Sequence, residues 1–437
     1  MNAASLAGHA IELLDNIVKT THPADRTIAD FYRTRRYIGS HDRKWITEKI
    51  YGIIRNFILL KDLEENCAPG LKALGVFLAH EIRFASMTPG EIVESYGMLL
   101  DTFRLTGNKI DIEKFTACIR TRLSILSDNP QNVFLLNSFP DFFVDLLPSS
   151  VRQDVVLLMS SLNHEAQVCL RVDTGKISRE QAVASLAKEE IEASVSKFSP
   201  LGVYLPKRVN LNNLSLYKEG FVEVQEEGSQ LVGLLVDPKK DETIVDACAG
   251  AGGKSLEFAA LSGGLSKIFA LDLEKDRLDK LKARANRSGY ENITTIKVSD
   301  GDSEALARLI GEADKVVVDA PCTGSGTIRR NPDKKFRLTK MSVEKQSEYQ
   351  KELLARYARL VRPEGLLFYM TCSIFEKENH SVIESFLESD QRFQLINASE
   401  MFSDSKFSDL IENNYVAIYP HRHDMDGFFA AVMKRLS

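Results

Sequence analysis

A chain of 437 residues is longer than one ordinary hydrophobic core accommodates, so two or three domains are expected. Its 44% hydrophobic and 27% charged residues, with 25 Gly and 13 Pro, exclude disordered and collagen-like classes. A formal charge of -5 leaves no global basic field, so any nucleic-acid partner would have to be held by local patches of Lys and Arg.

The first residues, "MNAASLAGHAIELLDNIVK", carry no basic leader, and no stretch approaches the ~20 apolar residues of a membrane span. A cytoplasmic protein is the expectation. Cys67, Cys118, Cys169, Cys248, Cys322 and Cys372 form no C-x-x-C pair and no zinc-spaced cluster. Reduced thiols and no metal follow as the simplest reading.

From 4 to about 140, apolar residues recur at helical spacing, as in Leu6, Ala10, Leu13, Leu14, Ile17 and again in Ile46, Ile50, Ile53, Phe57, Leu60. An all-helical domain over 1–145 is predicted, ending near the breakers "SDNPQN" and "LPSS". Residues 146–235 mix a helical segment, "SREQAVASLAKEE", with the strand-like runs "QVCLRVDT" and "GFVEVQ", and predict a small α+β insert. Over 236–437 short apolar strands alternate with helices: "TIVDAC", "KIFALD", "ITTIKV", "KVVVDA" and "GLLFYMTC", with "FQLI" and "GFFAAVMKR" as later strands. That is the pattern of an α/β, doubly wound, mostly parallel seven-stranded sheet.

In such a sheet, ligands bind beyond the carboxyl ends of the strands. The five strands end in, or are closely followed by, Asp246 and Cys248, Asp272, Asp300, Asp319 and Cys322, and Cys372. The first turn, "DACAGAGGKS", supplies Gly250, Gly252 and Gly253 for close backbone approach to a ligand at a helix N-terminus. A phosphate-binding Walker loop would need glycine at position 248, where Cys stands. Asp272, 26 residues after Asp246, stands where such folds place an acid on ribose hydroxyls, which serves NAD and S-adenosylmethionine alike.

Two cysteines past central strands, with a carboxylate nearby, suit chemistry on a pyrimidine. Cytosine C5 attacks a methyl donor only after a thiolate has added at C6. A protonated Asp can meet the demand at N3, and a second thiol has a use when the C5 proton leaves and the first thiolate is eliminated.

"DAPCTGSG", "TCS" and "CAGAGGK", with the late "DMDGFFAAVMKR", resemble the motifs of the Sun/RsmB/NSUN family of RNA cytosine-5 methyltransferases, over essentially all of 220–437. The resemblance implies a Rossmann-like class I methyltransferase domain using S-adenosylmethionine. It implies Cys372 as the nucleophile on C6, Cys322 as the residue promoting release, and Asp319 on base and cofactor. Cys248, Ala249, Gly250, Ala251, Gly252, Gly253 and Lys254 would cradle the methionine end. Asp272 would hold the ribose, and Asp300, or else Asp302, would lie near the adenine. The commoner family loop reads C-A-A-P-G-G-K, so Gly250 and Ala251 depart from it. "CLRVDT" looks like the usual start of the insert, and "GSHDRKWITEKIYGIIRN" resembles a NusB-like helical domain.

The implied substrate is structured RNA, small-subunit (16S) ribosomal RNA first and transfer RNA as the alternative, with a monomer favoured and no membrane partner. "TIRRNPDKKFRLTK" (327–340), with six basic residues and Phe336, is the first candidate for RNA backbone and stacking contacts, and "YRTRRYIGSHDRK" (32–44) is the second. Three other readings compete. A DNA cytosine-5 methyltransferase would use Cys322 as nucleophile and have no need of Cys372. A noncatalytic RNA-binding assembly factor has no need of intact Asp319, Cys322 and Cys372. An NAD-dependent dehydrogenase lacks its acid/base His at a strand end.

Overall fold

The computed structural model describes residues 1–105, 110–299, 304–402 and 405–436. They form two compact units: 1–145 with 154–163 and 330–338, and 146–153 with 164–329 and 339–437.

The first unit is helical, with α1 (Ala3–Lys19), α2 (Ala24–Thr34), α3 (Ser40–Arg55), α4 (Phe57–Cys67), α5 (Lys72–Arg83), α6 (Pro89–Leu105) and α7 (Ile112–Ser127). Helix α1 starts at Asn2, whose side chain accepts the Ser5 N–H at 2.8 Å, and it buries Ala7, Ala10, Leu13, Leu14 and Ile17. Helix α3 buries Ile46, Ile50, Ile53 and Ile54 by the same periodicity. The expectation of reduced thiols fails here, because Cys67 at the end of α4 and Cys118 in α7 form a disulfide with Cα atoms 5.6 Å apart. The pairing spans 51 residues and depends on how α4 and α7 pack, which no local spacing shows.

Segment 330–338 belongs to this helical unit, and this corrects the reading of 327–340 as an RNA contact. Arg337 donates to Ile17 O at 2.9 Å and Thr20 O at 2.6 Å, serving the carbonyl end of α1. Asp333 accepts the Ala24 N–H at 3.2 Å at the amide end of α2. Both charges oppose the helix dipole they meet. Lys335 is 1% exposed, donates to Asn163 Oδ1 at 2.7 Å and to the Arg55 carbonyl, and lies 4.5 Å from the Phe139 ring centroid. Burial pushes its pKa well below the usual lysine range. Phe336 packs against Phe57 at 4.7 Å between centroids. Cation-rich composition read as an RNA contact, whereas the tertiary fold places Arg337 and Asp333 on helix ends.

The second unit holds two sheets. The smaller is antiparallel, in the order β2-β3-β1-β4, from β1 (Val168–Val172), β2 (Ser194–Val195), β3 (Gly202–Leu205) and β4 (Val222–Val224). The helix Arg179–Lys188 belongs to it and starts at a capping box of Ser178 and Gln181.

The larger sheet contains β5 (Thr243–Asp246), β6 (Lys267–Asp272), β7 (Ile293–Lys297), β8 (Ala313–Asp319), β9 (Val361–Thr371), β10 (Phe393–Ile396), β11 (Ile411–Glu412), β12 (Tyr415–Ile418) and β13 (Phe428–Arg435). The five expected strands are β5 to β9, which run parallel in the order β7-β6-β5-β8-β9, and β13 adds antiparallel to β9. Among the described residues, nine strands stand where seven were expected. The position beyond β13 is shared by β12, paired with 428–430, and β10, paired with 432–435, while β11 extends β12. Order reverses between β5 and β8, so their carboxyl ends open the crevice where such sheets bind ligands.

Phe336 tests the correction to segment 330–338. Phe336→Leu keeps an apolar side chain on Phe57, so RNA affinity should stay within about twofold, whereas loss of a base-stacking ring costs roughly 1–3 kcal/mol. Filter-binding titration against structured RNA decides between the two. Phe336→Ala should destabilise the helical unit by about 2 kcal/mol, measured by calorimetry.

Candidate active site

Because β5, β6, β8 and β9 are parallel, the polar residues at their ends lie along one edge of the sheet. Asp246 ends β5, Asp272 ends β6, Asp319 ends β8, and Cys372 follows Thr371 at the end of β9. Asp300 and Asp302, the candidates for the adenine side, lie outside the described residues.

Strands β8 and β9 are neighbours with Asp319 opposite Met370. Their extensions bring Cys322 Sγ to 3.3 Å from Cys372 Sγ. Residues 50 apart in sequence thus present two thiols to one small volume, and both are partly exposed.

Glu378, 0% exposed, holds both cysteine loops and was missed in the sequence. Its Oε1 accepts the Thr323 N–H at 2.8 Å, and its Oε2 accepts Thr323 Oγ1 and Ser373 Oγ, each at 2.5 Å. Gln350 Nε2 donates to this carboxylate at 3.2 Å and to Pro321 O at 2.9 Å. Ser325 Oγ meets Ser373 Oγ at 2.9 Å, and the Gly326 N–H donates to Cys372 O at 3.0 Å. The small residues of "CTGSG" are explained by this crossing: a Cβ on Gly326 would lie 2.2 Å from Gly427 O. The only sequence signal for Glu378 was an acid five residues after "TCS".

Asp319 and Lys254 were expected in separate roles, yet they are an ion pair, with Lys254 Nζ 2.7 Å from Asp319 Oδ2 and 3.2 Å from Ser229 Oγ. Burial alone would lower the Lys254 pKa, but the adjacent Asp319 charge and hydrogen bond outweigh it and raise the value. Asp246 is 1% exposed and accepts from Ser255 Oγ at 2.6 Å. Desolvation pushes its pKa up to about 6, with the Asp319 charge adding to the rise and the Ser255 hydrogen bond opposing it. Burial and the charge of Asp246 likewise raise the Cys248 thiol, which therefore has no thiolate character to offer.

The loop from Cys248 to Lys254 leads into the helix Gly253–Leu261. Gly250 and Gly252 adopt φ of +56° and +86°, a region that side chains disfavour. Gly252 also packs so closely that a Cβ would lie 2.4 Å from Leu281 Cγ. A Cβ at Gly250 or Gly253 would instead meet open space, leaving a cradle beside the helix N-terminus. Asp272 Oδ2 accepts the Gly250 N–H at 2.9 Å, and Oδ1 accepts the Glu274 N–H at 2.8 Å, so the carboxylate is aimed by two backbone donors. An aimed acid, a glycine cradle and a helix N-terminus suit a nucleoside bearing an amino-acid end. Among the described residues, no group of three or more His, Cys, Asp or Glu is placed to hold a metal, and no helix is long and apolar enough to cross a membrane.

Residues 233–434 match the family model for 16S rRNA methyltransferase RsmB/F, and residues 139–212 match the RsmF/B-like ferredoxin-like domain. The chain is 28% identical to "Probable ribosomal RNA small subunit methyltransferase B" of Synechocystis, over 90% of this chain and 91% of that one. It is 28% identical to the human 28S rRNA (cytosine(4447)-C(5))-methyltransferase, over 73% of this chain and 40% of that one. Its structure is similar to that of a methyltransferase homologue from Pyrococcus horikoshii, with a TM-score of 0.58 and 26% identity, over 70% of this chain and 100% of that one.

The raised Asp246 pKa has a measurable consequence. An acid whose folded pKa lies above its unfolded value near 3.9 stabilises the fold fully only below that value, and the contribution is lost as pH rises through about 6. Asp246→Asn, which still accepts from Ser255, should match wild type at pH 4 and exceed it by roughly 3 kcal/mol at pH 8. Equal differences at both pH values in calorimetric unfolding would disprove buried ionisation at this site.

Proposed function

The chain belongs to the RsmB/F (Sun) family of rRNA methyltransferases, and on that premise we propose that it methylates C5 of a cytosine in structured RNA, with small-subunit ribosomal RNA as substrate. The observation that carries this reading is the 3.3 Å approach of Cys322 Sγ and Cys372 Sγ beyond two adjacent parallel strands. S-adenosylmethionine, when bound, supplies an electrophilic methyl group. The glycine cradle of 248–254 would hold its amino-acid end, and Asp272 would accept from its ribose hydroxyls.

Within this site, the Cys372 thiolate adds to cytosine C6 and moves electron density to C5. Asp319, at the end of β8, faces the N3 edge of the ring, and the Lys254 ammonium paired with it offsets the negative charge that develops there during addition. Lys254 keeps the Asp319 carboxylate oriented toward that edge. After methylation the C5 proton passes to the Cys322 sulfur as thiolate, and the C5–H electron pair expels Cys372 from C6, returning the Cys372 thiolate and restoring the aromatic ring. Cys322, one van der Waals contact from Cys372, is in reach of the same ring edge and serves this release. Glu378 holds both loops and so keeps the two sulfurs together.

Segment 330–338 lies within the helical unit, so the second stretch, 32–44, gains weight as an RNA contact. There Tyr37 is 69% exposed.

The cysteine roles are separable. Cys322→Ala, incubated with structured RNA and cofactor, should accumulate a covalent protein–RNA adduct visible as a denaturation-resistant band, because release is blocked. Cys372→Ala should form none, and the reverse pattern would overturn the assignment. Bisulfite sequencing of ribosomal and transfer RNA from a deletion strain should show one methylcytosine lost from small-subunit ribosomal RNA. Loss confined to transfer RNA would move the substrate there.

A further inference from the structure

The small antiparallel sheet reaches the cofactor loop through buried Arg171 and through Glu223, which holds the partly buried Arg284 of the helix Lys275–Arg287. Arg171 on β1 lies directly opposite Glu223 on β4, so the two share a face of that sheet. Arg171 is 4% exposed and donates Nη1 to Gly253 O at 2.7 Å and to Gln225, with Glu257 Oε2 at 3.7 Å. Glu223, 5% exposed, receives Arg284 Nε at 3.1 Å and Nη2 at 2.8 Å. The remaining arm of the same guanidinium, Nη1, donates to Ala251 O at 2.6 Å.

Building on the cofactor site proposed above, we propose that Arg171 and Arg284 are positioning residues for S-adenosylmethionine, clamping the carbonyls of Gly253 and Ala251 so that the small sheet completes the cofactor loop.

Each peptide unit is planar, so fixing a carbonyl oxygen also fixes the N–H of the next residue on the opposite side. The two arginines therefore set the planes of the 251–252 and 253–254 peptides, on either side of Gly252. This loop needs such support, since Gly250 and Gly252 sit at positive φ and glycine gives the backbone many alternatives. Charge-assisted bonds are about twice as strong as neutral ones. Without them the ligand itself must order the loop, and affinity falls by that ordering cost. Neither arginine touches the reacting atoms, so the loss belongs to cofactor binding and leaves the methyl-transfer step intact.

The test uses the full chain and S-adenosylhomocysteine as a stable probe, titrated by calorimetry. Arg284→Met removes the Ala251 contact. Arg287→Met removes the other arginine that pairs with Glu223 and serves as the comparison. Arg284→Met should weaken binding about tenfold, the worth of one charged hydrogen bond, while Arg287→Met stays within about twofold. The KM for S-adenosylmethionine should rise by a similar factor with kcat unchanged at saturating cofactor. Hydrogen exchange of the cofactor-free protein should accelerate across 249–254 in Arg284→Met alone.

Equal weakening in both variants, or none in Arg284→Met, overturns the proposal. Should Arg284→Met not fold, Arg284→Lys carries the test, because one ammonium has no fork to span Glu223 and Ala251, and unchanged affinity there also overturns it. If the wild type binds no S-adenosylhomocysteine, the cofactor reading fails, and the exchange measurement still tests the clamp.

Discussion

Glu378 is the point on which the thiol geometry depends. A carboxylate taken fully out of water is tolerated only when its oxygens are satisfied, and here Thr323, Ser373 and Gln350 do so at once. Its donors come from the loop after β8, the loop after β9 and the helix Lys340–Ala358. Satisfying one buried charge thus forces two loops together, and the sulfur separation of 3.3 Å follows. The Gly326–Gly427 backbone contact closes the same corner from β13.

A second layer of charge lies at the neighbouring strand ends. Asp246, Lys254 and Asp319 are coupled, with Lys254 between two acids that differ in exposure. Burial favours a neutral Asp246, while Asp319, on the open side, keeps the ammonium as partner. The division gives one carboxylate to the substrate side and leaves the other as a support for Ser255 at the start of the helix Gly253–Leu261. The ribose side is built differently, because Asp272 is aimed by backbone donors alone.

The helical unit applies the same economy of charge to structure. Arg337 and Asp333 sit at opposite helix ends, and Lys335 is buried over an aromatic ring with carbonyl acceptors. Segment 330–338 follows the Cys322 loop in sequence, so residues that read as an extension of the catalytic surface serve instead to close the helical core.

Much was legible locally. Strand-length apolar runs ending in Asp246, Asp272, Asp319 and Cys372 predicted a parallel sheet with a polar edge, because a buried strand ends where its hydrophobic side chains end. The glycines of 250–253 were legible because positive φ selects for them. The cysteine roles came from the resemblance, since neither thiol's spacing distinguishes nucleophile from release residue. Glu378, Arg171 and Arg284 were not legible as site residues. A single acid or arginine in a sequence carries no mark of its partners, which here lie 5 to 86 positions away. The basic 327–340 segment misled for the same reason, since charge composition does not say whether cations face solvent or helix carbonyls. By itself the sequence determined the sheet, its polar edge and the glycine loop, because these follow from periodicity and backbone preference. Only the tertiary structure decided which thiols meet, which carboxylate is buried and which arginines hold the loop, because those depend on long-range packing that brings distant charges out of water together.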